Sequence, residues 1–438
     1  MERRSPPPPP PVTVLRGHSS GVQGLCFLTE DILLSGCQAG VVKAWNLERR
    51  RVCAEFQASP TGLGVQRIDR LGHNKVVSQT RDGRIRVWDA ESLVGGGSRA
   101  QETGSGTACF ACPEPLRELA TGAFHFCQFA LTRWREPPAR NGESTKVGRG
   151  HGHDSGTREG THGGRSRGGI NKISDGSERD SADDDDSSAG GGVPGAGRGQ
   201  GLEGLSDGAG SSEGAQAGGQ ERATSDGSFA ENAVLTPCED QHAVRLWDLR
   251  DSAPAYTIVP ADAERRGMVM CARLLGESPS CANPFAVCGH DSGYLCVYDV
   301  RATSAEPLME SRLHNEPLLC VDVGSSCIQG VSGSADDSVH VFRINTKKRS
   351  CEVTNTFRSQ RPGTACVEIR HDQKLFVIGG WDHRLRAFSW KSPRPLAVLR
   401  SHEGSVYSIA HSPRIGGLAS GSADSRVAVW DLFPAGER

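Results

Sequence analysis

Residues 402–432 read HEGSVYSIAHSPRIGGLASGSADSRVAVWDL. A histidine opens the stretch, two alternating apolar runs follow, a Ser-Ala-Asp-Ser turn intervenes, and a third alternating run ends in Trp-Asp. Period-2 runs of this length, separated by Gly, Ser and Asp, are the pattern of half-buried strands joined by tight turns. The same kind of ending recurs at VVKAWNL (41–47), RIRVWDA (84–90), AVRLWDL (243–249), YLCVYDV (294–300), VHVFRI (339–344) and LRAFSW (385–390). A histidine stands upstream of several endings, and His18 to Trp45, His314 to Phe342 and His402 to Trp430 are 27, 28 and 28 residues apart. Such constancy marks an internal repeat. Seven endings predict an all-β, seven-bladed β-propeller with four strands per blade.

The last repeat carries the most complete set of polar residues. His402, Ser422, Asp424 and Trp430 are spaced for a buried chain in which the indole N–H donates to a hydroxyl, the hydroxyl to imidazole, and imidazole to the turn carboxylate. The fifth repeat keeps His314, Ser334 and Asp336 but ends in Phe342. The second keeps Thr80, Asp82 and Trp88 without the His, and the first has Ala39 in the Asp position. In GGWDHRLRAFSW (379–390) the Trp-Asp pair precedes a strand instead of ending one. Asp382 lies six residues before Phe388, as Asp82 does before Trp88 and Asp424 before Trp430. It is therefore a turn Asp with a Trp beside it.

After Leu432 too few residues follow for an outer strand of the seventh blade, so Val12–Leu15 is expected to supply it and close the ring. The layout that follows is a proline-rich tail (1–11), propeller (12–132), an insertion (133–232), propeller again (233–434) and a short tail (435–438). Between Trp134 and Phe229 the chain has no aromatic residue and no Cys. This Gly/Ser/Asp-rich stretch is too poor in apolar side chains to offset its chain entropy and is expected to be disordered. Because closure cost grows only with the logarithm of loop length, one blade is expected to carry it.

Net charge is −2, which gives no field for nucleic acid or an anionic membrane. The 15 cysteines, with no signal peptide before them, read as free thiols used as small hydrophobes. No apolar run is long enough to span a bilayer. The Cys109/Cys112 pair lacks the second pair a zinc site needs, and His151, His153 and His162 lie in Gly-rich sequence, so no metal and no cofactor are expected. GAGRGQG (195–201) has neither the strand nor the helix of a phosphate loop. Ser181 stands before the acidic run Asp183–Asp186, at a spacing acidophilic kinases favour. Every Ser-His-Asp set is consumed by blade structure, so no enzyme is expected.

PPPPPPVTVLRGH (6–18), FHFCQFAL (124–131), RRGMVMCARL (265–274) and GGWDHRLRAFSW with the following PLAVLRSH (395–402) resemble the WD-repeat family of guanine-nucleotide-binding protein β-subunit-like protein 1. That family includes the fungal ASTRA-associated protein 1 and the plant Decreased Size Exclusion Limit protein, and the resemblance looks nearest to the plant branch. It implies a non-enzymatic scaffold acting with ASTRA-type co-chaperone and chromatin assemblies that mature phosphatidylinositol-3-kinase-related kinases. In plants it implies roles in embryo development and plasmodesmatal transport. It also implies protein partners rather than nucleic acid, membrane or small molecules, and a place in cytoplasm and nucleus, with cell junctions added in plants. Trp381, His383 and Arg384, on an exposed turn, are the expected partner contacts. Trp247, Asp248 and Arg250 form a Trp-Asp-x-Arg pattern that raises the alternative of a cullin–RING ligase substrate receptor.

Overall fold

The computed structural model describes residues 9–95, 113–124, 127–131, 232–251, 253–260, 262–276, 284–300, 306–326, 328–390, 394–414 and 416–432. Within them, 28 strands form seven four-stranded antiparallel sheets. The architecture is a seven-bladed β-propeller. Blades one to six run in chain order over residues 22–57, 65–120, 130–258, 269–312, 318–358 and 364–400. Blade seven takes three strands from 406–431 and its outer strand from Thr13–Arg16.

Closure pairs Thr13 with Val429 and Arg16 with Arg426, and Val12 N–H donates to the Val429 carbonyl at 2.8 Å. The closing strand is therefore one residue further along than the Val12–Leu15 expected from sequence. It covers the edge that the strand Arg426–Asp431 would otherwise expose. In blade three, Ala130 pairs with Leu235 and Leu131 with Val234, so the chain leaves and re-enters one sheet through neighbouring strands. The expected insertion, apart from Asn232, lies outside the described residues, as do Cys109, Cys112, His151, His153, His162 and Ser181.

Alternation along each strand puts its apolar residues between blades. Seven hydrophobic clusters result, one at each blade–blade boundary. At the boundary of blades six and seven, Leu385, Leu399, Val406, Leu418 and Trp430 pack together, each at most 1 % exposed. Six of the seven inner strands begin with a register shift, at Val22/Gly24, Val65/Arg67, Val269/Cys271, Leu318/Cys320, Thr364/Cys366 and Val406/Ser408. A bulge at this place bends the strand and increases its twist, which suits sheets packed around an axis.

The cysteines among the described residues are free. Three of them tie neighbouring blades together. Cys271, Cys320 and Cys366 follow the bulge in blades four, five and six. Each thiol donates to the first carbonyl of the next blade's inner strand: Leu318 at 3.5 Å, Thr364 at 3.4 Å and Val406 at 3.6 Å. Burial pushes the Cys271 thiol up to about 12, so it stays protonated and able to donate.

Candidate functional site

The polar residues of the repeats meet on one face, where each outer strand returns to the next inner strand and the tight turns lie. In blade seven, Trp430 Nε1–H donates to Ser420 Oγ at 3.0 Å. Ser420 Oγ lies 2.8 Å from His402 Nε2, and His402 Nδ1 lies 2.9 Å from Asp424 Oδ2. The chain expected from sequence exists, but its hydroxyl is Ser420, not Ser422. In blade five it is Ser332, not Ser334, at 2.9 Å from His314 Nε2. In blade two Trp88 donates to Ser78, not Thr80, at 2.8 Å.

The reason for the offset is the pleat. Residues two apart share a face, so period 2 leaves two candidate hydroxyls per strand. Register decides between them: Leu418 stands opposite Trp430 and Ser420 opposite Ala428, which puts Ser420 within reach of the indole. Ser422 lies at the turn, where its Oγ donates to the Gly404 carbonyl at 2.9 Å and accepts from Asp424 N–H. Ser334 donates likewise to the Glu316 carbonyl, and Thr80 to Asp82. Blade one completes the shorter chain Trp45–Ser35–His18, at 2.7 and 2.6 Å.

Blades two and six have no such histidine and hold the turn carboxylate differently. Arg86 reaches Asp82 at 2.8 Å, and Arg386 reaches Asp382 at 2.6 Å, with all four side chains nearly buried. The sequence signal is an Arg four residues after the turn Asp, in DGRIR and DHRLR. Burial raises the Asp382 carboxyl, but the Arg386 hydrogen bonds outweigh it and hold the group below the usual carboxylate range. Burial also keeps His18 and His314 neutral, lowering each to about 4. It lowers His402 as well, against the opposing pull of Asp424.

On this face Leu63, Phe124 and Val259 are exposed in the connections around blades two to four, and blade six adds an exposed aromatic of its own. Trp381 is 44 % exposed, its indole lying on Gly363 and its backbone N–H donating to the Gly363 carbonyl. His383 is exposed and holds a φ of 68°, at the turn position where blade two has Gly83. Arg384 is half-buried and meets Gln360 Oε1 at 3.3 Å. These three side chains come from one turn, as the sequence places them. The Trp-Asp-x-Arg residues are arranged otherwise. Trp247 is buried and donates to Thr236 at 2.8 Å, and Asp248 is buried against Arg250. Among the described residues, no group of His, Cys, Asp and Glu is arranged to hold a metal ion, and no helix is long and apolar enough to cross a membrane.

The family model for the WD domain, G-beta repeat, matches residues 9–46 and 393–431, the two stretches that meet at the closure. The chain carries WD40 repeats. Its homologues include mouse guanine nucleotide-binding protein subunit beta-like protein 1, 32 % identical over 46 % of this chain and 60 % of the mouse protein. ASTRA-associated protein 1 of Schizosaccharomyces japonicus is 30 % identical over 34 % of this chain and 43 % of its own length. The protein of the same name from Verticillium alfalfae is 21 % identical over 98 % of this chain and 95 % of its length. The WD-repeat chain thus spans 60 % or less of the first two relatives. The full-length match is the more distant one.

Proposed function

We propose that this WD-repeat propeller is a non-enzymatic scaffold that joins an ASTRA-type assembly maturing phosphatidylinositol-3-kinase-related kinases. The observation that carries the scaffold reading is the division of labour on the face with the tight turns. His18, His314 and His402 and the turn carboxylates Asp82, Asp382 and Asp424 are tied into blade structure, while Trp381, His383 and Arg384 project from one turn without a role in the core. Aromatic and Arg side chains are the residue types that dominate protein interfaces. The names of the fungal relatives supply the assembly. Roles in plant embryo development and plasmodesmatal traffic, and residence in cytoplasm and nucleus, belong to the same proposal and rest on the sequence resemblance alone.

A cullin–RING receptor would use Arg250. That side chain is folded back on Asp248 of its own turn at 2.5 Å, which favours a structural role. The test is affinity purification of tagged protein from its own cells, with and without residues 136–228, read by mass spectrometry. Recovery of ASTRA and kinase-maturation proteins by both forms supports the scaffold reading. Recovery of a cullin adaptor in their place refutes it.

A further inference from the structure

Blades two, six and seven each carry an arginine two residues after the turn carboxylate: Arg84, Arg384 and Arg426. Arg84 pairs with Glu118, and Arg426 with Glu403 at 2.8 Å. Arg384 has its side-chain hydrogen bond to the neutral amide of Gln360, and the nearby Asp382, which feels its charge, is held in an ion pair by Arg386. The carboxylate that serves Arg426 stands 21 residues before the turn Asp of its blade. The residue 21 before Asp382 is Arg361, which is exposed and has no acidic partner among the described residues. Directly across from Arg384 in the sheet register stands Arg400, also exposed and, among the same residues, also unpaired. Like charges facing each other across strands destabilise a sheet. The equivalent facing pair in blade seven, Arg16 and Arg426, has Glu403 on Arg426.

Beside these arginines a shallow groove opens along the edge between blades five and six. Arg358 and Arg400 line its walls with Arg386 and Phe388 buried at its floor, and Pro395 and Val398 provide apolar surface. Arg358 is committed to Asp337 and Arg386 to Asp382. Arg361, Arg384 and Arg400 therefore form a local positive excess on a chain whose net charge is −2. We infer that this rim of blade six binds an acidic peptide segment of a partner protein. Its carboxylates would face Arg361, Arg384 and Arg400, and an apolar side chain would enter the groove. The confined patch and its apolar lining favour a peptide over a nucleic acid, whose backbone calls for a longer basic track.

This inference rests on the scaffold reading and gives it a contact. The probe is a fluorescein-labelled Asp/Glu-rich peptide with one leucine, followed by anisotropy on the full chain. Controls are its Asn/Gln counterpart and an oligouridylate of the same charge. The acidic peptide is expected to bind, to weaken as salt rises from about 0.05 to about 0.3 M, and to lose about tenfold in affinity in the Arg384→Glu/Arg400→Glu pair. Because neither arginine has an ion partner among the described residues, that pair should melt as the wild type does, and the milder Arg384→Gln/Arg400→Gln pair gives a second reading. Unchanged affinity in both pairs, or equal binding of the amide peptide or the oligouridylate, overturns the inference. Loss of peptide binding by the wild type with intact recovery of ASTRA proteins would sink the rim site and spare the scaffold. Peptide binding without that recovery would do the reverse.

Discussion

Asp382 and Arg386 form an ion pair at 2.6 Å in which both side chains are only 5 % exposed. The carboxylate sits in the turn and the guanidinium on the following strand, four residues on. The pair occupies the ground that His402 and Asp424 hold in blade seven. Two blades thus fix the tight turn with an arginine from within, and blade seven does so with a histidine from the preceding loop. The two arrangements tie different segments together. The histidine clamps loop, turn and strand. In blade six the arginine joins turn and strand, and the preceding loop carries Arg361. In blade two Arg86 also reaches Glu118, and Ser59 of the preceding loop donates to Asp82.

Removing one member of such a pair strands a buried charge. Arg386→Ala and Asp382→Ala are each expected to lower stability by about 3–5 kcal/mol, and the double Asp382→Asn/Arg386→Met substitution by clearly less. Urea denaturation of the three variants checks this. A double variant as unstable as the sum of the singles would show that the two residues act independently.

The corrected polar chain predicts unequal costs for two neighbouring serines. Ser420→Ala removes the acceptor of Trp430 and the partner of His402 together, leaving two buried groups unsatisfied, and should cost about 2–3 kcal/mol. Ser422→Ala removes two hydrogen bonds to backbone groups beside the turn, the longer at 3.2 Å, and should cost about 1 kcal/mol. Thermal or chemical melts of the two variants decide the assignment, and the reverse order would restore Ser422 to the chain.

The propeller and its closure were legible because repeat spacing and strand alternation are properties of the chain itself. His402, Asp424 and Trp430 could be named for the same reason. Which serine joins them could not, since Ser420 and Ser422 share a face and only the pairing of Leu418 with Trp430 separates them. The roles of Arg86 and Arg386 are harder to read, because an Arg in an alternating strand ordinarily points to solvent. The turn Asp four residues earlier was the signal. The unpaired state of Arg384 and Arg400 depends on cross-strand register, which no local pattern carries.

His383 holds a left-handed backbone that most side chains resist, at the position glycine takes in blade two. Its side chain is exposed and lies outside the core, so the strain of its backbone decides its effect on stability. His383→Gly is expected to raise stability by up to about 1 kcal/mol. The same change should weaken partner recovery if the turn is a contact. A loss of stability, measured by thermal melt, would mean that the imidazole contributes to the fold.

Stability should fall on mild acidification because of the buried histidines. His18 and His314 are lowered to about 4 in the folded protein, chiefly by burial, against about 6.5 when unfolded. Between these values the unfolded chain binds more protons than the folded one, so stability rises with pH across the window and is fully present above about 6.5. Each of the two should contribute roughly 1–2 kcal/mol of loss between pH 7 and 5. His402 adds in the same direction. Below about pH 4 protonation of Asp82, Asp382 and Asp424, all held below the usual range, extends the decline. Urea midpoints at pH 7, 6 and 5 test the first part. In His18→Asn/His314→Asn the slope between pH 7 and 5 should flatten by most of the histidine contribution, and an unchanged slope would mean that these imidazoles are not the groups responsible.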